Sequence, residues 1–255
     1  IGHERLNRMT TFSGGKTIYG ASLGILMLDT RFPRIPGDTG NAQTWPFPVQ
    51  YRIGRDASPE NVVLKDPGAL LDRFIVAGRE LVDSGCDGIT TTCGFLSLLQ
   101  SELSAALDVP VAPSSLMQVP MVAATLPPGK RVGILTISPD TLTPAHLKAA
   151  NVAPDTPVMG TAPDTQFARA ILRDLPEMDF AQCREDLCTA ALNLTGAHPD
   201  LGAIVLECTN KVPYADDIRR LTGLPVYSIY SFACWFQAGL IPRSFPLNLT
   251  DARPR

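Results

Sequence analysis

Gly88-Ile89-Thr90-Thr91-Thr92-Cys93-Gly94-Phe95 is a β-branched run that stops abruptly at a cysteine followed by glycine. It reads as a buried strand emptying into a strand-to-helix turn. The pattern returns at an offset of 115 residues as Ala203-Ile204-Val205-Leu206-Glu207-Cys208-Thr209-Asn210. Each cysteine is then expected at the carboxyl end of a strand, the edge at which open parallel α/β sheets bind ligands.

The echo extends beyond the cysteines. At the same offset Ile89 falls on Ile204, Leu103 on Ile218, Pro110 on Pro225 and Val111 on Val226. A second echo, at offset 109, sets Leu23-Gly24-Ile25-Leu26-Met27 against Val132-Gly133-Ile134-Leu135-Thr136. An α/β fold of two pseudo-symmetric halves is therefore expected, each with a parallel sheet and one cysteine, and with the site in the cleft between them. Pro127-Pro128-Gly129 is the clearest linker. The first domain is placed at 17–118 plus 226–255, made discontinuous by a helix over 231–240 that returns to it, and the second at 119–225.

Outward from these stretches, strands are expected over Ile18–Leu28, Pro48–Ile53, Val109–Ala112, Arg131–Thr136 and Val226–Ile229. Helices are expected from Asp66-Pro67 to Ser84, and over Phe95–Leu107, Ser115–Ala124, Ser138–Ala150, Asp164–Leu172, Phe180–Leu194 and Val212–Thr222. Residues 1 to 16 are polar and without periodicity and read as a loose terminus, with Met9 a candidate start. The stretch from Arg31 to Asn41 is too rich in Pro, Gly and Asp for a regular element; following the first strand directly, it is placed to cover the site.

In the 255-residue chain a hydrophobic content of 45% with 18% charged residues fits a globular protein with a sizeable core. A net charge of −3, with Lys and Arg scattered, gives no reason to expect nucleic acid or an anionic membrane as partner. No apolar run approaches the ~18 residues of a membrane span, and no charged-then-apolar leader opens the chain, so a cytoplasmic location is expected. The six cysteines read as reduced thiols. The three histidines lie apart, and no metal site or cofactor is expected.

Either cysteine alone reads as a small core residue. Two at matched positions of facing halves read as a catalytic pair. One thiolate can take a proton from one face of a carbon while the opposite thiol donates to the other face. That requires the attacking thiol to be eased below its usual pKa of about 8.5, and a following helix N-terminus supplies part of this.

Leu206-Glu207-Cys208-Thr209-Asn210 with Pro213 resembles the second cysteine motif of the aspartate/glutamate/hydantoin racemase superfamily, Gly-Cys-Thr followed by His or Glu. Thr92-Cys93-Gly94 stands where that family often has Cys-Asn-Thr. The resemblance implies two flavodoxin-like domains, frequent homo-oligomers, and cofactor-independent two-base racemisation of a small carboxylate or hydantoin substrate. It makes Cys93 and Cys208 the catalytic thiols, flanked by Thr92 and Gly94, with Thr209 and Asn210 holding the substrate carboxylate. Asp29 and Thr30 stand where glutamate racemases carry Asp-Ser, and Thr136, Ser138 and Asn41 are further candidates for substrate binding. Gly94-Phe95 departs from the family pattern, removing a side-chain ligand and adding an aromatic wall. Glu207 is expected to face away from the cleft by strand alternation.

The favoured activity is an amino-acid or hydantoin racemase or epimerase, an isomerase. Cis-trans isomerases of the same superfamily use both cysteines, whereas its decarboxylases tend to keep only the second. A non-catalytic two-lobed ligand-binding protein is the alternative from another class.

Overall fold

The computed structural model describes residues 13–65 and 67–245. Most of the expected loose terminus, the expected helix start at Asp66, and the last ten residues of the expected first domain lie outside the described residues.

The two echoes are a physical duplication. β1 (Leu23–Leu28), β2 (Val49–Gly54), β3 (Gly88–Thr91) and β4 (Val111–Ala112) form one parallel sheet in the order β2-β1-β3-β4. β5 (Arg131–Thr136), β6 (Val158–Gly160), β7 (Leu201–Leu206) and β8 (Val226–Tyr227) form the other, in the order β6-β5-β7-β8. Register is duplicated as well: Leu26 stands opposite Thr91, and Leu135 opposite Leu206. The Thr92 amide donates to Leu26 O at 3.0 Å, and the equivalent Glu207 amide to Leu135 O at 3.1 Å.

Among the described residues eight α-helices cover the sheets: α1 (Leu71–Asp83), α2 (Gln100–Leu107), α3 (Val119–Ala123), α4 (Pro144–Ala149), α5 (Gln166–Leu172), α6 (Phe180–Ala197), α7 (Ala215–Thr222) and α8 (Ile229–Leu240). β3 is buried at every position and β5 and β7 at all but one, as parallel strands covered on both faces require. α1 buries Phe74, Ala77, Gly78 and Leu81, one stripe at helical spacing. Pro144 opens α4 behind a capping box in which the Thr143 side chain and His146 satisfy each other's exposed amides. That start shortens the helix expected from Ser138. α8 returns to the first half, where Ala233, Phe236 and Leu240 pack with Leu23, Ile25 and Trp45.

Several boundaries differ from expectation. β6 is only three residues long and half-buried, too short to show a period. β8 pairs with β7, so the strand at 226 belongs to the second sheet rather than opening the return to the first. After each cysteine the chain makes a 3₁₀ turn, Gly94–Leu99 or Thr209–Tyr214, before α2 or α7 begins. In the second turn Pro213 has no N–H to give an α-helical bond.

Candidate active site

β1 and β3 end side by side, as do β5 and β7, and in each sheet this is the point where the strand order reverses. The two crevices face each other. Cys93 follows β3 in an extended conformation (φ −150°, ψ 118°), and Cys208 follows β7 likewise (φ −73°, ψ 126°), each then entering its 3₁₀ turn. Both are free, buried thiols, and both line one narrow cavity. Leu28, Phe32, Val63, Phe95, Ile137 and Ile171 give it a largely apolar wall.

Hydrogen bonds tie the halves together around this space. Thr209 Oγ1 donates to Thr92 O at 2.7 Å, and Ser115 Oγ to Leu206 O at 2.6 Å. The stretch from Arg31 to Asn41 bridges the two halves. Its Arg31 and Phe32 amides donate to Asp174 Oδ1 at 2.6 and 3.1 Å, while Asp38 Oδ2 accepts from Asn210 Nδ2 at 2.6 Å. Asp38 is also paired with Arg34 Nη1 at 2.8 Å, with side-chain exposures of only 3% and 12%. Cys208 Sγ donates to Asn210 Oδ1 at 3.5 Å, so a line of contacts runs Arg34, Asp38, Asn210, Cys208.

The expectation that Glu207 faces away from the cleft is overturned. It stands one residue beyond β7, where the pleat and its alternation have ended, and it lines the cavity between the two cysteines. Thr136 Oγ1 donates to its Oε2 at 2.8 Å, whereas Oε1 is buried with no hydrogen-bond partner. A Cβ on residue 94 would stand 2.3 Å from that Oε1, so Gly94 is the side of the cavity that makes room for the carboxylate.

Electrostatically the two thiols are unequal. Burial raises Cys93 well above the usual thiol range, the Glu207 charge adds to this, and the Phe95 and Leu96 amides work against it. Burial pushes Cys208 up to about 12 with Glu207 adding, but here a cation, Lys211, and the Asn210 amide draw it back. Lys211 is fully buried and donates to Leu135 O at 3.2 Å and to Thr136 O; burial lowers it to about 8. Burial also raises Glu207, against the Thr136 hydrogen bond, the Lys211 charge and the Ile137 amide.

Cys93, Cys208, Thr92, Gly94, Thr209 and Asn210 are brought together around the cavity. Thr92 Oγ1 is occupied by the Leu28 amide at 3.0 Å, and the Thr209 and Asn210 side chains are occupied by Thr92 O and by Asp38. Four expected residues stand away from it. Asp29 is exposed on an outer groove shared with β2 and α1, and Ser138 lies on another, accepting from Thr141 Oγ1 at 2.7 Å. Thr30 accepts from Arg34 Nη2 at 3.0 Å, and Asn41 caps the turn Ala42–Thr44 while donating to Arg34 O at 2.8 Å. Thr136 reaches the site only through Glu207. Lys211 and Asp38 escaped sequence reasoning, since neither belongs to a periodic or repeated pattern.

No family model matches the chain. It is 30% identical over 237 residues to the dimethylsulfoniopropionate lyase of Durusdinium sp. clade D, a match covering 89% of this chain and 78% of that protein. It is 30% identical over 229 residues to dimethylsulfoniopropionate lyase 3 of Emiliania huxleyi (strain CCMP1516), covering 81% of this chain but only 56% of that longer protein. Among solved structures, arylmalonate decarboxylase superposes with a TM-score of 0.53 at 15% identity over 85% of this chain and 92% of that one. Glutamate racemase from Francisella tularensis does so with a TM-score of 0.53 at 12% identity over 89% and 85%. Aspartate racemase from Picrophilus torridus gives 0.51 at 13% identity over 86% and 95%. These likenesses are of fold, the fold of the Asp/Glu/hydantoin racemase superfamily that the cysteine motifs implied. Among the described residues no helix is long and apolar enough to cross a membrane.

Proposed function

We propose, from the premise that this chain belongs to the dimethylsulfoniopropionate lyase family, that it is a cofactor-independent lyase acting on a small carboxylate with a sulfonium leaving group on its β-carbon. Cys208, as thiolate, removes the proton on the carbon next to the carboxylate. The electron pair of that C–H bond becomes the new C=C bond, and the C–S bond breaks toward sulfur. From 3-(dimethylsulfonio)propanoate the products are dimethyl sulfide, acrylate and the Cys208 thiol. The sulfide leaves neutral, so no acid is needed on its side.

The observation that carries this reading is the inequality of the thiols. Burial and Glu207 raise both thiols, but the Lys211 cation eases ionisation of Cys208, whereas only the Phe95 and Leu96 amides do so for Cys93. One base is what an elimination requires, whereas racemisation needs two whose roles exchange. In its neutral form Cys93 serves as a donor to the substrate carboxylate as charge builds there. The apolar wall suits sulfonium methyl groups, and Phe32 and Phe95 offer aromatic surface to the cation.

Racemisation of an amino or related acid is the second reading, favoured by the pseudo-equivalent placement of the two cysteines after β3 and β7. The readings separate by product. Dimethyl sulfide and acrylate in equal amounts from 3-(dimethylsulfonio)propanoate support the lyase. Loss of optical rotation from an amino acid, without sulfide release, supports the racemase.

A further inference from the structure

We propose that Glu207 is the specificity-determining residue of this site: its unpartnered, buried carboxylate oxygen in the cavity between Cys93 and Cys208 is the counter-charge for the cationic substituent of the substrate. The inference rests on the lyase reading and deepens it.

A carboxylate oxygen buried without a partner is costly, and native proteins rarely leave one so. Glu207 is 1% exposed; the Thr136 hydroxyl, the Ile137 amide and the Lys211 charge support its carboxylate, yet Oε1 itself has no hydrogen-bond partner. The remainder of the cavity wall is largely apolar, so the oxygen's partner has to come with the ligand. An ammonium would bring three N–H donors and require acceptors for each. Beyond Glu207 the facing side chains are mostly hydrocarbon or aromatic, and Asn210 is already committed to Cys208 and Asp38. A sulfonium carries charge but no N–H or O–H; it needs a counter-charge and methyl-sized apolar surface, and this cavity presents both.

Position 94 fits the same account. A side chain there would occupy the space that Glu207 fills, with Glu207 O only 2.5 Å from the added Cβ and Oε1 closer still. Where the superfamily's racemases often place an asparagine, this chain gives up that polar ligand and admits a carboxylate from the opposite half. The charge then has a second effect. In the absence of ligand, Glu207 discourages ionisation of both thiols, with Lys211 offsetting this in part at Cys208. A bound onium group offsets it, so the substrate's own cation promotes the thiolate that attacks its α-proton.

The test compares two ligands of the same shape: 3-(dimethylsulfonio)propanoate and 4-methylpentanoate, in which CH replaces S⁺. Binding is measured by calorimetry in a Cys208→Ala background, where the sulfonium is not consumed, with Glu207 intact, with Glu207→Gln and with Glu207→Asp. With Glu207 intact the sulfonium is expected to bind about 10- to 100-fold more tightly than its neutral isostere. Glu207→Gln should remove most of that preference while still binding 4-methylpentanoate, which shows the site intact. Glu207→Asp, which keeps the charge, should retain part of it. An unchanged preference in Glu207→Gln, or failure of the Glu207 protein to bind either compound, would overturn the proposal. Dimethyl sulfide release by the wild type is scored separately. A preference that depends on Glu207 without release would leave this inference standing and remove the lyase reading, and release with a preference independent of Glu207 would do the reverse.

Discussion

A Cβ at position 94 and the carboxylate of Glu207 cannot occupy the cavity together, for the two would stand 2.3 Å apart. The contact crosses from the first half of the molecule to the second, so one glycine sets how far Glu207 reaches toward Cys93. Gly94→Ala should displace the carboxylate and the Glu207 backbone with it. A destabilisation of about 1–3 kcal/mol is expected from overpacking, with a loss of kcat/KM larger than that stability change explains. Chemical denaturation alongside steady-state kinetics checks both.

The Arg34–Asp38–Asn210 line is nearly withdrawn from water, and removing one member strands the others. Asp38→Ala is expected to cost about 3–5 kcal/mol by urea denaturation, in the range for breaking a buried pair. Because Asn210 positions Cys208, activity should fall even at temperatures where the variant stays folded.

The thiol chemistry sets the direction of the pH profile. With Cys208 pushed up to about 12 by burial, the free enzyme holds little thiolate at neutral pH. The rate constant kcat/KM should therefore climb by about tenfold per unit from pH 6 to pH 8. Above about 8 the rise should flatten as Lys211, lowered to about 8, loses the charge that eases Cys208. A plateau already reached at pH 6 would contradict this.

His146 gives a separate handle on stability. Its ring packs edge-on against Phe95 with centroids 4.9 Å apart, and burial lowers its pKa to about 4 from 6.5. The unfolded chain then binds the proton first. The stability conferred by neutral His146 is fully present above pH 6.5 and is lost as pH falls toward 4. Between pH 7 and pH 5 the loss should be about 2 kcal/mol. Denaturation midpoints of wild type and His146→Gln should show the acid-side slope shrinking in the variant.

The duplication was legible because it lies in local patterns: apolar or β-branched runs, each closed by a cysteine, at a fixed offset. β5 runs from Arg131 to Thr136 as its apolar run predicts. What escaped sequence reasoning depends on contacts far apart in the chain. Asp38 and Asn210 are 172 residues apart, and nothing local to either announces their bond. Glu207 was misplaced because alternation was carried one residue past the end of β7. Lys211 is buried because the 3₁₀ turn after Cys208 sets it beneath the end of β5, where the Leu135 and Thr136 carbonyls accept its protons. The expected ligands Asp29 and Ser138 stand near the right strand ends but on the outer side of the sheets. A strand's end is readable from its sequence; the side on which the following residue emerges is decided by the turn.

If Cys208 is the single base, as proposed, the initial rate of dimethyl sulfide release from 3-(dimethylsulfonio)propanoate separates wild type, Cys208→Ser and Cys93→Ser. The account predicts a loss of about 10²- to 10⁴-fold in Cys208→Ser and a markedly smaller loss in Cys93→Ser. Equal and near-complete losses in both, or undiminished release by Cys208→Ser, would contradict it.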